Sequence, residues 1–219
     1  MSDEEQPAVR RYYPALLDLK GKRCVVIGGG DVAERKVRSL VECGAAVVVI
    51  APQVSDEIGR LTRQGTIGLL AKSYTSGDLS GAWLVISAAP PEVNAAVAED
   101  ARREGILINV VDDPDRCDFI VPAVVRRGPV LVAISTEGSS PALARRLRGL
   151  IEAQIGPEYG DLADLLGRLR AEVLAIGNED ERRRIWEQII DSRCLELLRQ
   201  GRRDEAEREA RRCISSAQD

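Results

Sequence analysis

At 219 residues and a net charge of −4, the chain has room for one domain and a smaller partner, and its acidic balance argues against a general nucleic-acid binder. It contains no histidine, which excludes histidine bases, Ser-His-Asp triads and histidine metal ligands and leaves acid–base work to Asp, Glu, Lys, Tyr or Cys. No apolar run approaches the roughly 18 residues of a membrane span, and five widely spaced cysteines (Cys24, Cys43, Cys117, Cys194, Cys213) without a C-x-x-C pair argue against a zinc site or a disulfide framework.

The first stretch, Met1 to Arg11, is polar and lacks the apolar core of a signal peptide, so a cytoplasmic location is expected. Lys20-Gly21-Lys22 is a turn that feeds the run Cys24-Val25-Val26-Ile27, whose unbroken apolar character marks a strand buried on both faces. Gly28-Gly29-Gly30 follows, and a helical pattern opens at Asp31. Read as G-x-G-x-x-A over Gly28, Gly30 and Ala33, this is the phosphate turn of a dinucleotide-binding βαβ unit. Gly28 permits the turn, Gly30 lets the backbone approach a pyrophosphate, and Ala33 is small enough for close helix–strand packing. The helix start then offers free N–H groups to the phosphates.

The helix runs to about Cys43 and stops at Gly44; Ala46 to Ile50 is a second buried strand. It ends at Ala51-Pro52-Gln53, without the acidic residue that would hold the adenine ribose and without an arginine in its place, so this rule does not choose between NAD and NADP. A helix is expected at about 55–64, a short strand at 67–70 and a fourth strand at 83–87. The small pair Ala88-Ala89 leaves this strand and suits a dinucleotide passing overhead. A helix from Pro91 to Glu104, stopped by Gly105, and a fifth strand at 106–111 complete a parallel, doubly wound α/β sheet.

The pattern then changes to strand, turn and strand, with Phe119 to Val125, the turn Arg126-Arg127-Gly128-Pro129, and Val130 to Ser135. Ser140 and Pro141 suit the N-cap and first position of a helix carrying Arg145, Arg146 and Arg148. Beyond Ile151 only helical signals remain, among them an Asn178-to-Glu181 capping box and a charged last helix over 202–212 read as solvated. Cys24 and Cys43 are read as core residues. The apolar hairpin is expected to be covered in a homodimer, since bare strand edges invite pairing.

Two places could carry chemistry beside a cofactor. Asp112-Asp113 closes the fifth strand, where ligands of open parallel sheets bind; one carboxylate there suits a general base, while a pair of turn formers before Pro114 is the plainer reading. Ser135, Thr136, Ser139 and Ser140 precede a helix and, with Arg145 nearby, suit a substrate with many carboxylates; an ordinary capped loop is the alternative.

Asn109-Val110-Val111-Asp112, Phe119-Ile120-Val121-Pro122-Ala123 and Ser135 through Arg145 occur in order behind Gly28 to Lys36. Together they make the chain resemble the precorrin-2 dehydrogenase family, which includes the N-terminal half of siroheme synthases. The resemblance implies a Rossmann-type parallel sheet domain over 1–113, a dimerisation hairpin and helix over 114–149 and a small helical C-terminal domain over 150–219. It implies NAD-dependent oxidation of precorrin-2 to sirohydrochlorin, and for some members insertion of ferrous iron as a substrate to give siroheme. It puts the essential aspartate on Asp112 and cofactor contacts on Asp31, Val32, Pro52 and Gln53, beside Gly28, Gly29, Gly30, Ala88 and Ala89. Substrate contacts are expected at Asn109, Ser135, Thr136, Ser139, Ser140 and Arg145. The tetrapyrrole would lie between the sheet edge and the hairpin; no resident metal, nucleic acid or membrane is expected. Thr136 stands where some trifunctional members carry a phosphorylated serine. An NAD-sensing module without turnover and a dedicated chelatase are the rival readings, the latter disfavoured by the missing histidines.

Overall fold

The computed structural model describes residues 11–216, so Met1 to Arg10 lie outside the described residues. The chain divides into two compact units, the first ending at Val121 and the second starting at Pro122.

The first unit alternates strands and helices: β1 (Arg23–Ile27), α1 (Asp31–Glu42), β2 (Ala46–Ile50), α2 (Asp56–Arg63), β3 (Gly68–Leu70), β4 (Leu84–Ser87), α3 (Pro91–Glu104) and β5 (Leu107–Val110). All pairings are parallel, in the order β3-β2-β1-β4-β5. This is the Rossmann-like α/β fold expected, and the order reverses between β1 and β4, which opens a crevice at their carboxyl ends. The apolar run of β1 is explained by its two faces. Cys24 and Val26 pack under α1 with Ala33, Val37 and Leu40. Val25 and Ile27 pack on the other face with Val97, Ala98 and Ala101 of α3. The predicted stops hold: Gly44 and Gly105 take φ of +73° and +68°.

Burial pushes the Cys24 thiol up to about 11, with Cys43 adding to the effect, so it packs as a small hydrophobe. Cys43, expected in the core, is exposed instead. It caps the end of α1, where the chain leaves the helix and its apolar face no longer meets the sheet.

The second unit opens with an antiparallel hairpin, β6 (Ala123–Arg127) and β7 (Val130–Ile134), followed by helices α4 (Pro141–Gln154), α5 (Pro157–Leu174), α6 (Glu179–Asp191), α7 (Cys194–Arg199) and α8 (Arg203–Ser216). The hairpin departs from expectation at both ends of its first strand. Residues 119–122 are not strand. The Phe119 carbonyl is taken by the Asn109 amide at 2.9 Å, and Pro122 has no N–H to give a ladder. Arg126 and Arg127, expected in the turn, extend β6, because Gly128 at φ +53° followed by Pro129 makes a two-residue turn. Arg127 then bonds through its guanidinium to the carbonyls of Ile155 and Glu152 at the end of α4.

The expected caps form: the Ser140 hydroxyl accepts from the Leu143 N–H at 3.2 Å, and the Asn178 side chain accepts from the N–H groups of Asp180 and Glu181. The last helix is charged but not merely solvated. Ala206, Ala210 and Ile214 form a narrow stripe buried against Leu165, Leu169, Ile185 and Ile189. Among the described residues no helix is long and apolar enough to cross a membrane.

Candidate functional site

Three backbone bonds continue the sheet one step past its strands. The Gly28 N–H donates to the Ile50 carbonyl at 3.0 Å, that of Ala88 to Ile27 at 2.8 Å, and that of Val111 to Ser87 at 2.9 Å. They line up the glycine turn, the β2 exit, Ala88 and the residue before Asp112 along one carboxyl edge.

The three glycines do different work there. Gly28 has φ +118°, and a Cβ on it would stand 2.3 Å from the Ala88 carbonyl oxygen. Gly29 presses on the β2 exit loop: a Cβ would stand 2.0 Å from the Gln53 carbonyl oxygen, and its own carbonyl accepts from the Ser55 N–H at 2.8 Å. A Cβ on Gly30 would meet nothing within 4 Å. Gly28 and Gly29 therefore press Ala88, Gln53 and Val54 close around the turn, while Gly30 faces open space. Gly30 is the N-cap of α1 and brings no side-chain cap, so the first-turn N–H groups of Asp31 and Val32 are left for a ligand. These features fit a dinucleotide's pyrophosphate.

The absent acidic residue after β2 has a neighbour that the motif did not reveal. Glu34, on α1, accepts from the Ser55 hydroxyl at 2.8 Å and pairs with Arg38 at 2.9 Å, two residues beyond Gln53 in the chain. Ser55 also caps α2 by accepting from the Ile58 N–H, which joins the two helices beside the β2 exit loop.

At the far side of the edge, β5 is fastened to the segment behind it. The Asn109 amide donates to the Phe119 carbonyl at 2.9 Å and to the Cys117 sulfur at 3.5 Å. The Val110 N–H donates to the same sulfur at 3.1 Å, and the Asp118 carboxylate accepts from the Ile108 N–H at 3.1 Å. Asn109 is buried, and its amide N–H groups are engaged in this fastening. The intervening loop turns sharply, with Asp112 at φ +60°. Aspartate tolerates this left-handed region better than most residues, at a cost of order 1 kcal/mol. Its side chain is exposed and, among the described residues, makes no hydrogen bond or ion pair. Asp113 differs: its carboxylate pairs with Arg116, and its carbonyl accepts from the Arg116 N–H in the short 3-10 turn Pro114–Arg116. Asp113 is thus the turn former and Asp112 the unengaged carboxylate.

The other expected cluster lies in the second unit. The Ser135 hydroxyl accepts from the Glu137 N–H at 2.9 Å. The Thr136 hydroxyl accepts from the Ser140 N–H and donates to the Ser140 carbonyl, both at 3.0 Å. Ser139 and Arg145 are exposed. Glu137 at φ +50° and Gly138 at φ +89° reverse the chain between them. The two ends of the expected site thus occur in separate units: the glycine turn, Pro52, Gln53, Ala88, Ala89, Asn109 and Asp112 in the first, Ser135 through Arg145 in the second. A surface concavity of about 460 Å³ along α6, lined by Arg184, Glu187, Gln188, Asp191 and Ser192, has no apolar residue in its lining and no phosphate turn.

Known proteins resemble the chain along nearly its whole length. A family whose description reads "Putative NAD(P)-binding" matches residues 15–123, the sirohaem biosynthesis protein central family matches 127–154, and the sirohaem synthase dimerisation region matches 158–214. A siroheme synthase of Methylococcus capsulatus is 47% identical over 90% of this chain and 42% of its own length. One of Azotobacter vinelandii is 42% identical over 90% of this chain and 43% of its own length. The chain belongs to the precorrin-2 dehydrogenase and siroheme synthase N-terminal family. It spans less than half the length of these two relatives. Among solved structures, SirC, named a precorrin-2 dehydrogenase, is similar at a TM-score of 0.75 and 26% identity, covering 94% of this chain and 100% of that one. In the family's terms, the first unit is the part that takes a nicotinamide cofactor.

Proposed function

We propose that the chain is an NAD-dependent precorrin-2 dehydrogenase that yields sirohydrochlorin in siroheme biosynthesis. The observation that carries this reading is the carboxyl edge of the sheet, where an uncapped glycine-rich helix start and an unengaged aspartate share one row of backbone bonds. The glycines, with the N–H groups of Asp31 and Val32, hold the pyrophosphate. Pro52 and Gln53 line the adenosine end, and Ala88 and Ala89 leave room for the dinucleotide. When bound, the nicotinamide supplies the hydride acceptor. Asp112 takes the proton that leaves with that hydride, so precorrin-2 loses two hydrogens in all. Asn109 holds the loop that presents Asp112. Ser139 and Arg145, with the loop hydroxyls of Ser135 and Ser140, bind carboxylates of the macrocycle, while Thr136, whose proton goes to the Ser140 carbonyl, holds the loop in shape.

NAD is preferred over NADP on this reading. The β2 exit carries no arginine for a 2′-phosphate, and Arg38 of α1 is held by Glu34, which is bonded to Ser55. Incubation with precorrin-2 and either cofactor tests it. Sirohydrochlorin forms with NAD at a higher kcat/KM than with NADP; binding of NAD without turnover would favour a sensing module. Iron insertion is a second proposed activity, because the relatives are named siroheme synthases and an unengaged Asp112 offers a base for pyrrole protons.

The protein acts as a cytoplasmic homodimer on this reading. Residues 158–214 match a dimerisation region, and Leu143 and Leu150, seven apart on α4, are exposed on one helix face. Sedimentation at micromolar concentration gives twice the chain mass if this is right and the chain mass if it is wrong.

A further inference from the structure

Beside the β2 exit, one carboxylate has two partners. Glu34 belongs to the first turn of α1, and helical side chains lean toward the helix N-terminus, here toward the glycine turn. One of its oxygens accepts from the Ser55 hydroxyl at 2.8 Å, and the other pairs with the Arg38 guanidinium at 2.9 Å. Ser55 stands next to the glycine turn, since its N–H donates to the Gly29 carbonyl at 2.8 Å. The Glu34 carboxylate thus bridges the end of the β2 exit loop and an arginine. The second acid near Arg38, Glu57, stands 3.8 Å away and is already gripped by Arg60 at 2.6 and 2.7 Å. The two acids and two bases of this group cancel in charge. In sheets of this kind the β2 exit meets the adenosine ribose, and an arginine nearby accommodates a 2′-phosphate. This chain has such an arginine, on α1 instead of the exit loop, and Glu34 engages it.

We propose that Glu34 is a positioning residue that sets cofactor choice: by holding Arg38, it withholds from the 2′-phosphate of NADP the cation that would otherwise bind it. The proposal rests on reading the glycine turn as the dinucleotide site, and it deepens the preference for NAD. The ribose hydroxyl of NAD is uncharged and needs no cation, so the pair leaves NAD binding alone. A 2′-phosphate brings about two negative charges to side chains whose net charge is zero. Neutralising Glu34 gives that group one positive charge. It also frees Arg38, a long and exposed side chain, to make charge-assisted hydrogen bonds to phosphate.

Calorimetric titration of the full chain with NAD and with NADP tests this without turnover. Glu34→Gln keeps an oxygen that can accept from Ser55 and removes only the charge. It tightens NADP binding roughly tenfold and leaves NAD affinity near wild type. Arg38→Gln alone leaves both affinities near wild type, because that guanidinium is already engaged. Glu34→Gln combined with Arg38→Gln loses the gain. A merely structural role for Glu34 would weaken both cofactors and lower the melting temperature; it would not tighten one of them. Unchanged or weaker NADP binding in Glu34→Gln overturns the proposal. So does a gain that survives without Arg38, which would make Glu34 a direct repellent, and so does weaker NADP binding in Arg38→Gln alone, which would put Arg38 on the phosphate already. Wild-type protein that binds neither dinucleotide overturns the reading of the site itself, which separates that failure from a failure confined to the variants.

Discussion

Asp112→Asn is expected to keep NAD affinity and to lower single-turnover NADH formation from precorrin-2 by about 10²–10⁴-fold, the usual cost of losing a general base. The loop makes this substitution informative. Asp112 sits at φ +60°, where asparagine is nearly as well tolerated as aspartate. Its carboxylate serves no structural contact among the described residues, so the variant should fold as the wild type does. Asp112→Ala is less clean, because alanine is poorer in that backbone region. The chain has no histidine to take over the proton. Asp113→Ala provides the contrast. It removes a partly exposed ion pair with Arg116, worth about 1 kcal/mol or less, and should cost little turnover. Near-normal turnover in Asp112→Asn, or a larger loss in Asp113→Ala, would move the chemistry to another carboxylate.

The glycine triplet is expected to split into two classes of variant. Gly30→Asp should fold with a melting temperature close to wild type, since its φ of −84° is ordinary and a Cβ there meets nothing within 4 Å. It should lose on the order of 10²-fold or more in NAD affinity, because a carboxylate would stand in the pyrophosphate path and like charges in close contact cost several kcal/mol. Gly28→Ala and Gly29→Ala should instead destabilise the first unit. Each drives a Cβ into a backbone carbonyl, of Ala88 at 2.3 Å and of Gln53 at 2.0 Å, and neither carbonyl is a flexible side-chain end. A cost of about 1–3 kcal/mol is expected from overpacking. At Gly28 the φ of +118° adds to it. Calorimetric titration with NAD beside thermal melts separates the classes. A stable Gly30→Asp that binds NAD normally would remove Gly30 from the site.

Much of this architecture was legible because its signals are local. The run Cys24 to Ile27, the triplet after it and the stops at Gly44 and Gly105 each act within a few residues, and the parallel sheet follows from their order. Ser140 and Pro141 announce the start of α4 in the same way. What escaped depends on residues distant in sequence. The Phe119 stretch reads as strand until Asn109 and Asp118 are seen to fasten it behind β5. Arg127 reads as a turn residue until its guanidinium finds the end of α4. In sequence, Gly29 is simply the middle residue of a motif; its role appears only when the β2 exit loop lies against it. The neighbour of the missing ribose acid, Glu34, is hidden for the same reason: it reaches the β2 exit from another helix.

The central claim is that this chain removes a hydride and a proton from precorrin-2, with NAD as the acceptor. An anaerobic single turnover tests it most directly: full-length protein is mixed with precorrin-2 and excess NAD, and NADH and sirohydrochlorin are both quantified. The account predicts equal amounts of the two products, rising together with wild-type protein and nearly lost with Asp112→Asn. NAD binding without either product, or sirohydrochlorin formed without matching NADH, would contradict it.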